Sequence, residues 1–217
     1  MTMELRGCIF DLDGVIVDTA KYHFMAWRRL AKELGFEFTV EENEALKGVS
    51  RMTSLEILLK TGGVTVSEKD KEVLAARKNG WYVEFISGMT PDEILPGSVS
   101  LLKSLRKAGI MTAIGSASRN AGTILDRIAL REMFDVIVDG NKIHKAKPDP
   151  EVFLRGAEEM NLPPSCCIVF EDAQAGIEAA IAGGMKSVGV GSPELLGRAD
   201  LVIPNLKNIT IRQLRNL

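Results

Sequence analysis

Arg6 to Gly14 reads RGCIFDLDG. A short apolar run that ends in acidic residues and then a glycine suits a buried strand delivering side chains to its C-terminal edge. Asp11 and Asp13 stand two apart at that end, so an extended backbone points both carboxylates to one side, while Gly14 permits a sharp exit. Similar apolar runs recur at residues 110–115, 134–138, 166–170, 187–190 and 201–203, with helical stretches between them at 99–108, 121–128, 150–160 and 175–182. Strands alternating with helices predict an α/β fold, a doubly wound parallel sheet covered on both faces, with its ligand site beyond the strands' carboxyl ends.

The segment after the first strand has a different texture. Phe24, Trp27, Leu30, Ala31 and Leu34 repeat at the three and four residue spacing of an amphipathic helix, as do Leu55, Leu58 and Leu59. Gly35, Gly48, the Gly62-Gly63 pair and Gly80 are plausible breaks, although Gly80 also suits the interior of a longer helix. The expected organisation is a core of residues 1–18 and 88–217, with a small all-helical cap of residues 19–87 inserted after the first strand. Its two connections would form a hinge.

Composition bounds the rest. A chain of 217 residues with 46% hydrophobic and 26% charged residues is expected to be globular, with a substantial core. Lys plus Arg (27) against Asp plus Glu (29) gives a net charge of −2, which argues against broad electrostatic binding to nucleic acid or an anionic membrane. Cys8, Cys166 and Cys167 lack metal-ligand spacing and read as reduced core residues. No apolar stretch reaches the roughly 18 residues a membrane helix needs, and Met1 to Arg6 lacks the apolar core of a secretory signal, so a cytoplasmic location is expected.

Four strand ends carry chemistry. A carboxylate such as Asp11 can serve as a covalent phosphate carrier, and a neighbouring acid such as Asp13 can protonate a leaving oxygen or take a proton from an incoming hydroxyl. The alternative is an acidic turn. Ser116, before Ala117, Ser118, Arg119 and Asn120, heads a polar turn that suits either a phosphate cradle or an ordinary helix cap. Lys147, in KAKPD, is either a neutralising cation or a solvated turn residue. Glu171 and Asp172 follow the apolar CCIVF and offer hard oxygen ligands for Mg²⁺, with Asp172 also a plausible N-cap. The coincidence of all four has no evident structural need.

These residues resemble the haloacid dehalogenase superfamily of phosphotransferases, through Asp11-Leu-Asp13-Gly14, Ser116, Lys147 and Glu171-Asp172. Within it the chain is similar to the β-phosphoglucomutase branch, through FDLDGVIVDT, YHFMAW, LKGVSR, SASRN and EDAQAGI. The resemblance implies a Rossmann-like core and interconversion of β-D-glucose 1-phosphate and glucose 6-phosphate through β-glucose 1,6-bisphosphate. Asp11 would carry the phosphoryl group and Asp13 would act as general acid and base. Mg²⁺ would be held by Asp11, the main-chain carbonyl of Asp13 and Asp172, with Glu171 beside them. Ser116 and Lys147 would hold the transferring phosphate.

On the cap side, the resemblance implies that Arg51 binds the distal phosphate together with Ser118, Arg119 and Asn120. Lys47, Gly48, Val49 and Ser54 would line the sugar, and His23 would lie near Asp13. Ser50 and Ala117 complete the set expected to bind substrate or phosphate. Arg119 departs from a pattern that often has lysine, and a guanidinium fork holds phosphate differently from a point charge. The expected partner is a small-molecule sugar phosphate, with no nucleic acid or membrane, and the chain is expected to act as a monomer. A sugar-phosphate or small-metabolite phosphatase on the same scaffold is the alternative. A non-catalytic sensor is disfavoured by the retention of Asp11 and Asp13, and a dehalogenase because Asp13 would have no proton to manage.

Overall fold

In the computed structural model of the protein, which describes residues 4–46 and 49–217, six parallel strands form one sheet in the order β3-β2-β1-β4-β5-β6. The strands are β1 (Gly7–Phe10), β2 (Met111–Gly115), β3 (Val136–Val138), β4 (Cys167–Glu171), β5 (Lys186–Val190) and β6 (Leu201–Ile203). The order reverses at β1, which pairs with β2 on one side and β4 on the other. A crevice opens beyond the carboxyl ends at such a switch point, and Asp11 is the first residue past β1.

Alternation along the strands explains the two-sided core. Cys8 and Phe10 enter one hydrophobic cluster with Ile114, Ile168 and Phe170, while Ile9 enters the other with Ala113, Val138 and Val169. Phe10 and Phe170 are direct neighbours across β1 and β4, stacked with centroids 4.5 Å apart.

The helices are α1 (Ala20–Glu33), α2 (Val40–Asn43), α3 (Arg51–Thr61), α4 (Glu68–Ser87), α5 (Ser98–Lys107), α6 (Ala121–Arg127), α7 (Glu151–Glu159), α8 (Gln174–Ala182), α9 (Pro193–Leu196) and α10 (Ile211–Arg215). The first four form the helical cap region between β1 and β2. α1 buries Ala26, Trp27, Leu30 and Ala31, and α3 buries Leu55, Leu58 and Leu59, the faces their spacing predicts. Gly80 is no break: it lies inside α4, where 20 residues run unbroken and bury Leu74, Ala75, Trp81, Tyr82 and Ile86. The two connections run side by side. Val17 bridges Ile94, and Leu95 N–H donates to the Ile16 carbonyl at 2.9 Å.

Cys8 and Cys167 are buried free thiols as expected, whereas Cys166 is only half-buried, because it precedes β4 rather than lying in it. Among the described residues, no helix is long and apolar enough to cross a membrane.

Candidate active site

A cavity of about 660 Å³ lies between the strand ends and the cap helices. Its floor begins at Asp11, whose N–H donates to the Phe170 carbonyl at 2.9 Å, which fixes the turn out of β1 against β4. Lys147 Nζ donates to Asp11 Oδ1 at 2.5 Å and to Glu171 Oε2 at 2.8 Å. Lys147 is 3% exposed, so the solvated-turn reading of KAKPD does not hold. Burial pulls its ammonium toward neutrality, but the carboxylates of Asp11 and Glu171 outweigh burial and hold it above the ordinary lysine range. The loop carrying Lys147 is tied back by Glu151, whose carboxylate accepts from His144 N–H at 3.0 Å and Lys145 N–H at 2.7 Å.

Asp11, Glu171 and Asp172 each offer an oxygen within 4.8 Å of the others. Three converging carboxylates, two of them buried, suit a hard divalent cation. Two glycines make room for them. Gly14 has φ of 81°, and a Cβ there would lie 2.1 Å from Asp172 Oδ2; one at Gly176 would lie 2.0 Å from the Glu171 carboxyl carbon. Asp172 is not the cap of the following helix: α8 begins after Ala173, which makes no side-chain cap bond. Glu171 Oε1 accepts from Ala173 N–H at 3.2 Å. Burial pushes the Glu171 carboxyl up, against the pull of Lys147.

Asp13 is half-buried beside Asp11, and Thr19, at the start of the cap, donates its hydroxyl proton to Asp13 Oδ1. Burial, followed by the charge of Asp11, pushes the Asp13 carboxyl up to about 8. Two neighbouring carboxylates thus differ in environment, one bonded to an ammonium and one held protonated near neutrality.

Ser116 follows β2 directly and is 1% exposed. It does not cap α6, which starts at Ala121 behind Asn120. Instead Ser116 Oγ accepts from Ser118 N–H at 3.1 Å, and Ser118 Oγ accepts from Asn120 N–H at 3.2 Å, two successive turns whose residues line the cavity. Ala117, Arg119 and Asn120 complete this wall.

The cap supplies the opposite wall with Val49, Ser50, Arg51, Ser54 and His23. Ser50 caps α3 by accepting from Thr53 N–H at 3.1 Å, which sets Arg51 at the helix start. Burial and then the positive charge of Arg119 draw Arg51 below its ordinary pKa. Lys47 and Gly48 lie outside the described residues. Glu171 is not on the cavity surface but beneath Lys147.

Sequence reasoning missed Lys78, Asn79 and Tyr82 on α4. Lys78 is 2% exposed, and its Nζ lies 2.8 Å from His23 Nδ1 and 4.4 Å from the Trp27 ring centroid. Burial, then Arg51, holds its pKa well below the lysine range, and burial, then Lys78, holds His23 below the histidine range. Asn120 Nδ2 donates to Asn79 Oδ1 at 3.0 Å, a direct bond from core to cap. The signal for Lys78 lies in its neighbours. Leu74, Ala75, Trp81 and Tyr82 flank it at three and four residues, so the lysine sits in the middle of an apolar stripe.

Comparison with known proteins agrees with this geometry. The chain is 42% identical over 212 residues to a β-phosphoglucomutase of Bacillus subtilis, covering 97% of this chain and 94% of that protein. It is 33% identical over 192 residues to a fructose-1-phosphate phosphatase of Escherichia coli, covering 88% of this chain and 98% of that one. A crystal structure of a β-phosphoglucomutase from Clostridium difficile matches with a TM-score of 0.93 at 42% identity, covering 97% and 95% of the two chains. The family profile of haloacid dehalogenase-like hydrolases matches residues 5–184, and the chain belongs to that family.

Proposed function

We propose that the protein is a β-phosphoglucomutase, interconverting β-D-glucose 1-phosphate and glucose 6-phosphate through β-glucose 1,6-bisphosphate. The observation that carries this reading is a cavity with two poles: Asp11, Lys147 and Ser116 at one, and at the other Arg51 from the cap with Arg119 and Asn120 from the core. A phosphatase needs the first pole, whereas a mutase must also hold a second phosphate while the first reacts.

Asp11 Oδ attacks phosphorus, and the bond from phosphorus to the sugar oxygen breaks as Asp13 gives its proton to that oxygen. In the other direction the C6 hydroxyl of glucose 1-phosphate attacks the aspartyl-phosphate, Asp13 takes the hydroxyl proton, and Asp11 leaves as a carboxylate. The bisphosphate turns end for end, and Asp11 removes the C1 phosphate. A group titrating near 8 suits both roles of Asp13. Thr19 occupies Oδ1, which leaves Oδ2 to carry the transferable proton.

Lys147 and Ser116 hold the transferring phosphoryl oxygens, and Ser118, Arg119, Asn120 and Arg51 hold the distal ones. Asp11, Asp172 and the main-chain carbonyl of Asp13, with Glu171 behind, would hold Mg²⁺, whose charge offsets repulsion between carboxylate and phosphate. The proposal takes the protein as a monomer, with a core and a cap on residues 19–87.

The test is an assay of purified protein with β-glucose 1-phosphate, Mg²⁺ and a trace of bisphosphate. Glucose 6-phosphate should form with little free phosphate. Inorganic phosphate released in step with substrate loss, with no glucose 6-phosphate, would make the protein a phosphatase.

A further inference from the structure

Tyr82 is wholly buried, on α4 one turn beyond Lys78. Its ring is well packed, stacked on His23 with centroids 4.0 Å apart and with Lys78 Nζ 4.8 Å from its centroid. Its hydroxyl is not. Among the described residues the oxygen makes no hydrogen bond of normal geometry, although the side chains of Thr19 and Ser118 lie close enough to act on it as hydrogen-bonding groups. Phenylalanine would pack as well without leaving a buried polar atom unsatisfied. An orphaned buried group of this kind calls for a partner gained in use.

The surroundings say which partner. Thr19 has committed its single proton to Asp13 Oδ1, so its oxygen keeps lone pairs that can accept. A Tyr82 hydroxyl donating to Thr19 Oγ1 would pin the threonine rotor on Asp13 and strengthen that bond, since chained hydrogen bonds polarise one another. Tyr82 rides on the cap, Thr19 stands at the junction, and Asp13 belongs to the core.

We propose that Tyr82 is a positioning residue: its hydroxyl completes a hydrogen-bond chain through Thr19 to Asp13 when the cap closes over a sugar phosphate. The chain orients the acid-base carboxyl for transfer to sugar and stays incomplete when water alone fills the cavity. The inference rests on the transfer chemistry proposed above. It assigns no contact between Tyr82 and the reacting atoms.

The test compares wild type with Tyr82→Phe, Thr19→Ala and the double variant in the Mg²⁺-loaded enzyme. Two rates are followed: glucose 6-phosphate formation from β-glucose 1-phosphate, and loss of the aspartyl-phosphate to water after charging with acetyl phosphate. Tyr82→Phe should lower kcat for isomerisation roughly tenfold, the effect of one ordinary hydrogen bond, with KM changed by less than about twofold. Its hydrolysis rate should stay at the wild-type value, and its melting temperature should not fall, because the deleted hydroxyl was unsatisfied. The double variant should be no slower than Thr19→Ala alone.

Isomerisation at the wild-type rate in Tyr82→Phe, or equal loss of isomerisation and hydrolysis, would overturn the proposal. So would additivity with Thr19→Ala together with coupling to Ser118→Ala, which would place the hydroxyl in phosphate binding instead. A wild-type enzyme that formed no glucose 6-phosphate would sink the mutase reading and this inference with it, a result distinct from an unaffected variant.

Discussion

On the core wall of the cavity, Lys147 touches two carboxylates at 2.5 and 2.8 Å. On the cap wall, Lys78 touches an imidazole at 2.8 Å, and Arg51 lies close enough to Arg119 to feel its charge. The core half brings its own counter-ion: the Lys147 ammonium holds Asp11 and Glu171 in place before any ligand arrives. The cap half carries like charges pressed together, with burial pulling Lys78 and Arg51 toward neutrality. An anion bound there would relieve the repulsion. On the proposed reading, chemistry belongs to the core and choice of acceptor to the cap.

The largest expected effect breaks the core half at its centre. Asp11→Asn replaces the attacking carboxylate with a poor nucleophile, so both isomerisation and phosphate release should vanish. Near-normal turnover in a steady-state assay would remove Asp11 from the mechanism.

Lys147→Ala leaves two carboxylates of the cluster without their cation. Breaking a buried ion pair costs about 3–5 kcal/mol, to be read from urea unfolding. Transfer should fall by roughly 10²–10³, the cost of losing a preorganised charge at the reacting phosphoryl group. Loss of activity with unchanged stability would mean that the ammonium serves the substrate alone.

Gly14→Ala tests the packing of the acid cluster more gently. The new methyl would meet Asp172 Oδ2 at 2.1 Å on a backbone with φ of 81°. Asp172 must then move, and Mg²⁺ affinity measured by titration calorimetry should drop roughly 10–100-fold, as for other disturbances of ligand orientation. Unchanged affinity would exclude Asp172 from the ion's coordination.

The smallest effect is on pH-dependent stability. Asp13 keeps its proton in the folded chain up to about 8, whereas an unfolded aspartate loses it near about 4. Between those values folding takes up a proton, so this contribution is full below about 4 and is lost as pH rises through about 8. In EDTA the melting temperature should fall across that window, and Asp13→Asn should make the fall shallower. An unchanged slope would show that Asp13 ionises freely in the fold.

The core was far more legible in the sequence than the cap. Each strand announced itself as an apolar run, because strands buried on both faces need no polar alternation. Their ends carried the acids, the hydroxyl and the lysine. Lys147 was ambiguous because local sequence makes it a turn residue, and only the fold brings Asp11 and Glu171, distant in the chain, around it. Asp172 resembled a helix cap because it stands near a helix start, but α8 begins two residues later. Lys78 and Tyr82 were illegible for another reason. In RKNGWY a lysine and a tyrosine on a long helix resemble a solvated face and a packing residue, and their burial depends on α1 and its His23 and Trp27.

The division of labour between the two walls is tested most directly by Arg51→Ala, measured in two reactions of the same preparation. Removing the charge that the proposal assigns to the distal phosphate should cut glucose 6-phosphate formation on the order of a hundredfold. Hydrolysis of the phosphoryl group placed on Asp11 by acetyl phosphate should continue at the wild-type rate. If both reactions fell together, or if neither moved, the cap would not be choosing the acceptor.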